Sequence, residues 1–307
     1  MVRVSVTKIG IIFEYFVNLH PSKNATCLER IEMKKIIIIL SLLCISLIAS
    51  AQAQITTKKE KLSDFTMKTT KIVLTGNEFL DQAIRDAARN SWTISPYEVC
   101  STGEFNTLMK DPKYYFLVVV QFGGKDSSSG ISYLSLMKGT QGATKISDLL
   151  EVVDFPVCAA NFPSGREAVF LPAILDIIQS YVENSIIHGF RSLKATRKLS
   201  SVHGMSLYFI EDDLATNLDP AFRAKVFDSN MLLVEEEEQD DIALDGTRNS
   251  ILSYTITPYG APKGAVCYRL LIDARTHELY YYKKAKIGAS WAGFTKGELT
   301  RFASLSR

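Results

Sequence analysis

The two halves of this 307-residue chain carry the same succession of strand and helix patterns, β-α-β-α-β-β-β. Short apolar or alternating runs indicate the strands, and apolar residues that recur every three to four positions indicate the helices. In the first half the patterns fall at residues 71–75, 78–92, 97–100, 101–109, 114–122, 131–137 and 152–158. In the second half they fall at residues 206–210, 218–227, 230–234, 235–244, 251–257, 265–273 and 278–283. Because a helix between strands favours parallel pairing, each half is predicted to form a small mixed α/β sheet.

The strongest helix pattern lies between the halves. Pro172 suits a first helical turn, and Gly189 suits the left-handed residue that follows a helix end. An apolar stripe runs between them through Ala173, Ile174, Ile177, Ile178, Tyr181, Val182 and Ile186. The stripe is expected to pack on the first sheet or between both halves. In a further interpretation, this helix docks to an outer-membrane complex. The predicted fold class is α/β, with two similar small mixed-sheet lobes joined by a long amphipathic helix.

Residues 33–53 have the composition of a secretory signal peptide. Met33 and two lysines precede an uncharged run at residues 36–48, and residues 49–53 supply small side chains with A-x-A spacing. Because such signals begin at the initiator methionine, we expect translation to start at Met33 and residues 1–32 to be a gene-model extension. The apolar run would span only about 20 Å as a helix, against roughly 30 Å for a bilayer core. We therefore expect a cleaved signal and no stable membrane span after cleavage.

These patterns divide the chain into six predicted segments. They are an extension at 1–32, a signal peptide at 33–53, a loose tether at 54–70, a first α/β unit at 71–160, a connecting helix and basic loop at 161–205, and a second α/β unit at 206–307. A capping box formed by Thr295 and Glu298 predicts a short final helix inside the last segment.

The chain that remains after residue 53 is almost neutral. Six of the 35 basic residues and three of the 33 acidic residues lie in residues 1–53, which leaves 29 basic and 30 acidic residues. Such a balance lacks the broad positive field that nucleic-acid binding needs, so no nucleic-acid partner is expected. Cys100, Cys158 and Cys267 also remain, without any C-x-x-C pair. They are expected to be buried and unpaired, although the sequence leaves one disulfide open.

The remaining histidines do not have the spacing of a metal site. His188 stands at a helix end, and His203 has no neighbouring ligand pattern. His277 lies between two strands, where a left-handed turn suits it. Turn and surface roles are preferred to a metal centre. No catalytic residue, metal or cofactor is therefore predicted, and neither G-x-S-x-G nor H-E-x-x-H occurs.

Two polar segments match the patterns of binding loops only in part, and each has a simpler interpretation. The acidic run 235–241 lacks the alternating ligands and central glycine of a calcium loop, so a solvated acidic helix start is predicted. The glycine-containing segment 139–145 lacks the G-K-[ST] ending of a phosphate loop, so a flexible loop is predicted.

Three further segments could contact a ligand. Residues 164–166 could present amides and a guanidinium to an anion, but helix capping by Ser164 is simpler. Tyr280 and Tyr282 are predicted on one strand face and Tyr281 on the other. These tyrosines could form a platform that binds carbohydrate. A structural role as packed strand residues is favoured. The basic residues at 191–198 are interpreted as a solvated linker.

The leader resembles signal peptides of Bacteroidota-type bacteria through its Ile-rich core and the Ser-Ala-Gln-Ala-Gln sequence at 50–54. Residues 92–97, 114–120 and 272–282 are similar to uncharacterised exported proteins of that group. This resemblance implies a bacterial envelope location, periplasmic or extracellular, and carries no known activity.

From these observations we expect an exported protein that binds a small ligand or an envelope protein without catalysis. The alternative is an envelope hydrolase whose active-site residues are dispersed along the chain. A ligand would be sought in the cleft between the halves or at the loops 123–130 and 139–145.

Overall fold

Each half of the chain forms one five-stranded mixed sheet, and the two sheets share one strand order. The computed structural model describes residues 62–121, 130–160, 163–189, 193–288 and 292–306, all of which belong to the unit Lys58–Arg307. The predicted α/β class with two similar lobes is confirmed. None of the helices in these ranges combines the length and apolar character that crossing a bilayer requires.

Within the described residues, the first lobe contains five strands and three α-helices. They are β1 (Thr70–Val73), α1 (Glu78–Ser91), β2 (Tyr97–Cys100), α2 (Thr102–Leu108), β3 (Tyr115–Gln121), β4 (Ile131–Lys138), β5 (Leu150–Ala159) and α3 (Arg166–His188). The sheet order is β2-β1-β3-β4-β5. Strand β1 pairs in parallel with β2 and β3, whereas β4 pairs antiparallel with β3 and β5.

The second lobe repeats this arrangement. Its elements are β6 (Ser206–Phe209), α4 (Pro220–Val226), β7 (Met231–Leu233), α5 (Glu236–Asp245), β8 (Ser250–Ile256), β9 (Val266–Asp273), β10 (Leu279–Lys286) and α6 (Lys296–Ser306). The sheet order is β7-β6-β8-β9-β10, with the parallel and antiparallel pairs in the same places. Each lobe therefore runs β-α-β-α-β-β-β and is followed by one more helix.

Local capping explains where several helices begin. The Asn77 side chain accepts a hydrogen bond from Leu80 N at the start of α1, and Asp219 does the same for Phe222 N in α4. The capping box at the start of α2 is present as its S-x-x-E sequence predicts. These side chains satisfy backbone donors that the first helical turn leaves unpaired.

Helix α3 of the first lobe also contacts the second lobe and is buried on more than one face. It contacts α1 and β5 in the first lobe and α5 in the second. It begins at Arg166, six residues before the predicted start at Pro172. Glu167 accepts hydrogen bonds from the Ser164 and Gly165 amides, which satisfies donors at this helix end. The predicted apolar stripe is largely buried inside the chain. This stripe is therefore not an exposed surface for docking an outer-membrane complex.

The two sheets pack against each other through aromatic side chains. The hydroxyls of Tyr133 and Tyr268 lie 3.2 Å apart, and Tyr254 donates a hydrogen bond to Val157 O over 2.6 Å. One buried cluster runs from the first sheet across this contact into the second. A second cluster covers the opposite face of the second sheet under α4 and α6. Packed side chains thus fill this part of the expected cleft between the halves.

The segment before β1 differs from the predicted loose tether at 54–70. Leu62 and Phe65 are fully buried, and the Phe65 ring centroid lies 4.6 Å from that of Tyr115. Asp64 also accepts hydrogen bonds from the Tyr115 hydroxyl and the Lys138 ammonium group. From Leu62 onwards this segment is therefore part of the first lobe.

Candidate functional site

A buried polar cluster lies at the carboxyl ends of the parallel strands in the second lobe. Its centre is Asp213, which follows β6 and is 1% exposed. Asp213 accepts a hydrogen bond from Thr255 N over 2.8 Å and another from the Ser253 hydroxyl. Both Nη atoms of Arg166 lie 3.4 Å from its carboxylate oxygens. Because Arg166 begins α3, a side chain of the first lobe enters the switch point of the second lobe's sheet.

The surroundings of Arg166 compensate for the burial of its charge. Its guanidinium donates to the Gln239 side chain and lies over the rings of Phe170 and Tyr254, at 5.5 and 5.3 Å from their centroids. Burial alone would lower the pKa of Arg166, but the neighbouring Asp213 carboxylate raises it above its ordinary value. Gln239 also donates to Tyr208 O, so the cluster ties α3, α5 and β6 together.

Two open cavities lie next to this cluster and share Glu211 and Asp212. The first has a volume of about 500 Å³ and the second about 430 Å³. We call the first the acidic crevice, and its lining comprises Ile210, Glu211, Asp212, Leu233, Val234, Glu235 and Glu236. It lies where β6 and β7 end. Ligands of open α/β sheets usually bind outside the carboxyl ends of the strands, at the switch point. The switch point of this sheet lies between β6 and β8, and the acidic crevice lies beside it, between β6 and β7.

The carboxylates of the acidic crevice are only partly neutralised. Glu211 forms two hydrogen bonds with Arg223, of 2.6 and 2.7 Å. The side chains of Asp212 and Glu235 have no hydrogen bond or ion pair within the described ranges. Glu236 lies 3.9 Å from Arg166 Nε, an atom with no hydrogen-bond partner among the described residues. The crevice therefore carries an excess of negative charge.

The first lobe provides an internal comparison for this site. The second and third residues after β6 are Glu211 and Asp212, and those after β7 are Glu235 and Glu236. The corresponding residues after β1 and β2, all uncharged, are Thr75, Gly76, Thr102 and Gly103. The shared architecture thus does not require four acidic residues at these positions.

The structure brings together residues that the sequence interpretation kept apart. Residues 235–241 do begin a helix, with three glutamates in the first turn of α5, as predicted. No sequence pattern places this run beside Glu211 and Asp212, because β6 and β7 become neighbours only in the folded sheet. The one sequence signal was the acidic sequence Glu211-Asp212-Asp213 directly after a predicted strand.

The histidines do not converge. His277 has a φ of 56°, in agreement with the predicted left-handed turn, and its Nδ1 lies 2.6 Å from Asp176 Oδ2 on α3. His188 is the last residue of α3, and His203 is exposed. The described parts of the chain contain no group of three or more His, Cys, Asp or Glu side chains that could hold a metal ion.

The glycine-containing loop at 139–145 is a structured turn, unlike the predicted flexible loop. The Asp148 carboxylate accepts hydrogen bonds from the Thr144 and Lys145 amides, of 3.0 and 3.2 Å. A Cβ atom on Gly139 would lie 2.1 Å from Asp111 O, so this loop packs closely on its neighbour. Five of its seven amides, all but those of Gln141 and Gly142, thus donate hydrogen bonds to protein groups. Most of the other loop, 123–130, lies outside the described residues.

The other candidate segments have structural roles. At 164–166 the predicted anion donors bind Glu167 and Asp213, as described above. In the basic segment 191–198, Arg197 pairs with Glu278 over 2.6 Å, and residues 190–192 lie outside the described ranges. Cys100, Cys158 and Cys267 are free thiols, and burial raises the pKa of Cys158 to about 12.

The predicted arrangement of the three tyrosines in β10 is wrong. A register shift between Leu279 and Tyr281 disrupts the alternation of faces. Tyr280 and Tyr281 therefore both pack in the cluster under α6, whereas Tyr282 packs in the cluster between the sheets. The three side chains are thus packed within the lobe, and they do not form a shared aromatic platform.

Fold and site together define an α/β protein with two similar lobes and an acidic crevice in the second lobe. Comparison of the chain with known protein families, with curated proteins and with solved structures finds no match.

Proposed function

We propose that this protein is an exported cell-envelope protein that binds a cationic ligand in the acidic crevice without catalysing a reaction. The observation that carries the proposal is the contrast between four acidic positions in the second lobe and four uncharged positions in the first. The two lobes share one strand order, so both sets of positions follow the first two parallel strands, although a 3-10 turn follows β6 and a turn at Gly76 follows β1. Acidic residues at one of them therefore point to a role beyond folding.

The lining of the crevice indicates the kind of ligand. Ile210, Leu233 and Val234 provide apolar surface, and Leu233 is 39% exposed. Asp212 and Glu235 provide carboxylates that bind no protein cation in the described ranges. An apolar wall with a few charged groups suits a ligand that has an apolar body and a positively charged end. An amine or a basic peptide side chain has this chemistry.

The envelope location rests on residues 33–53, which lie outside the described residues. The Lys-Lys start, the uncharged run and the A-x-A spacing support export followed by cleavage. Fractionation and N-terminal sequencing test this part separately. The expected mature protein begins near Gln52 or Gln54, whereas an intracellular product that retains residues 1–32 would contradict export.

Calorimetric titration with the diamine cadaverine tests the binding site. Pentanediol is the matched probe, because it keeps the apolar chain but has no charge. We expect cadaverine to bind and pentanediol not to bind. The double variant Asp212→Asn with Glu235→Gln should bind cadaverine about tenfold more weakly, which corresponds to about 1.4 kcal/mol. Equal binding of both probes, or no binding of cadaverine, would contradict the proposal.

Glu238→Gln is the control variant for this titration. Glu238 is exposed on the same helix but does not line the crevice. It changes the net charge without removing a carboxylate of the site, so it should leave cadaverine affinity almost unchanged. An equal loss of affinity in this variant would indicate a general charge effect.

A further inference from the structure

We propose that the open edge of β7 binds an extended basic peptide of a partner protein, which adds a strand to the second sheet. This inference rests on the proposed function, because the acidic crevice would hold the basic side chains of the peptide. It goes further by assigning backbone recognition to the strand that forms one wall of the crevice.

The hydrogen bonds of β7 identify its open side. The strand order places β7 at the end of the second sheet, beside β6 alone. Leu207 N donates to Asn230 O, and Val234 N donates to Phe209 O. The Asn230 carbonyl and the Val234 amide therefore face β6. Because bonding directions alternate along a strand, the N–H and C=O groups of Leu233 face away from β6. Neither group has a hydrogen bond among the described residues.

Groups at the start of β7 already form hydrogen bonds within the protein. A peptide can therefore reach only the end of this strand. Met231 N donates to Asp228 Oδ1, and the Asn230 side chain donates to Ser306 O at the end of α6. Leu233 is exposed and opens directly onto the acidic crevice. A peptide would thus form few backbone hydrogen bonds, and the carboxylates would have to contribute to its affinity.

The other edge strand of the second sheet, β10, is protected against the addition of a further strand. Strand β10 carries Lys283, Lys284 and Lys286, and charged side chains of this kind discourage strand addition. Strand β7 consists only of Met231, Leu232 and Leu233. Its neighbouring charges are the acidic residues of the crevice. A strand with alternating lysine and valine would complement both the apolar edge and the negative charge.

Binding of the peptide Lys-Val-Lys-Val-Lys, with blocked ends, tests the inference. Two further peptides carry N-methyl groups either on the lysines or on the valines, so that each lacks one alternate set of N–H donors. All three keep the same charge. If a strand forms, one methylated peptide should bind about tenfold more weakly, because only one set of donors faces β7. The other methylated peptide should bind like the parent.

The variant Leu233→Pro tests the same contact from the protein side. Proline is tolerated where a strand N–H faces outward, so we expect the protein to fold. It should lose the preference among the three peptides. If the variant does not fold, binding of the methylated peptides to the native protein still tests strand addition.

The outcomes separate the two proposals. Equal binding of all three peptides, together with cadaverine binding, would overturn strand addition and leave the proposed function standing. Failure of cadaverine and of every peptide to bind would contradict both. Peptide binding in the native chain that the double variant Asp212→Asn with Glu235→Gln does not weaken would place the peptide elsewhere, and would also overturn the inference.

Discussion

Arg166 at the start of α3 in the first lobe lies against Asp213 after β6 in the second lobe, with 3.4 Å between each Nη atom and a carboxylate oxygen. Both side chains are buried. The pair links the two repeats at the carboxyl ends of the second lobe's strands, directly beside the acidic crevice. It therefore connects the stability of the fold to the integrity of the candidate site.

Removal of Arg166 should destabilise the protein strongly. Arg166→Met would leave the buried Asp213 carboxylate without its cation, which typically costs about 3–5 kcal/mol. Urea unfolding of the variant measures this change. A combined Arg166→Met and Asp213→Asn variant should recover part of the loss, because no unpaired charge then remains. A single variant as stable as the native protein would contradict this role.

The lowered pKa of Glu298 leads us to expect that the stability of the protein depends on pH. Burial tends to raise the pKa of Glu298, but hydrogen bonds from Tyr281 and Thr295 and the charge of Arg269 lower it below its usual value. A lowered pKa in the folded state favours folding above about pH 4.3, the ordinary pKa of glutamate. This contribution is lost as the pH falls through the lowered pKa.

The variant Glu298→Gln tests that dependence. The difference in unfolding free energy between native protein and variant should be largest near neutral pH and should shrink between about pH 4.3 and lower values. The exposed residue Glu238 offers Glu238→Gln as a comparison. A difference that stays constant down to acidic pH would exclude the ionised form of Glu298 as the stabilising group.

The segment before β1 should contribute to stability through Phe65. Its ring is fully buried against Tyr115 and Trp92, so Phe65→Ala should cost about 3–5 kcal/mol. Met67, only two residues away, is 79% exposed, and Met67→Ala should change stability by less than about 0.5 kcal/mol. Chemical denaturation compares the two variants. Equal effects would argue against the docking of this segment.

Patterns that depend on neighbouring residues could be predicted from the sequence. Strand and helix order follows from local periodicity, so the repeated β-α-β-α-β-β-β succession was recognisable in both halves. The capping boxes at Ser101 and Thr295 and the left-handed turn at His277 also depend on a few adjacent residues. Each involves hydrogen bonds between residues only a few positions apart in the sequence.

The candidate site depended on pairings that no local pattern contains. Arg166 and Asp213 are 47 positions apart, and the two halves of the acidic crevice meet only because β7 pairs with β6. The bulge that reorients Tyr281 arises from the pairing of β10 with β9, a feature that alternation alone cannot indicate. The burial of Phe65 likewise depends on a distant partner, Tyr115.

The most direct test of the cation site is a map of backbone amide shifts in the isotope-labelled mature protein during titration with cadaverine. We predict that the largest shifts occur at residues 210–212 and 233–236, with little change at the corresponding first-lobe residues Thr75, Gly76, Thr102 and Gly103. Shifts concentrated in the first lobe, or spread evenly over exposed acidic residues, would contradict a cation site in the acidic crevice.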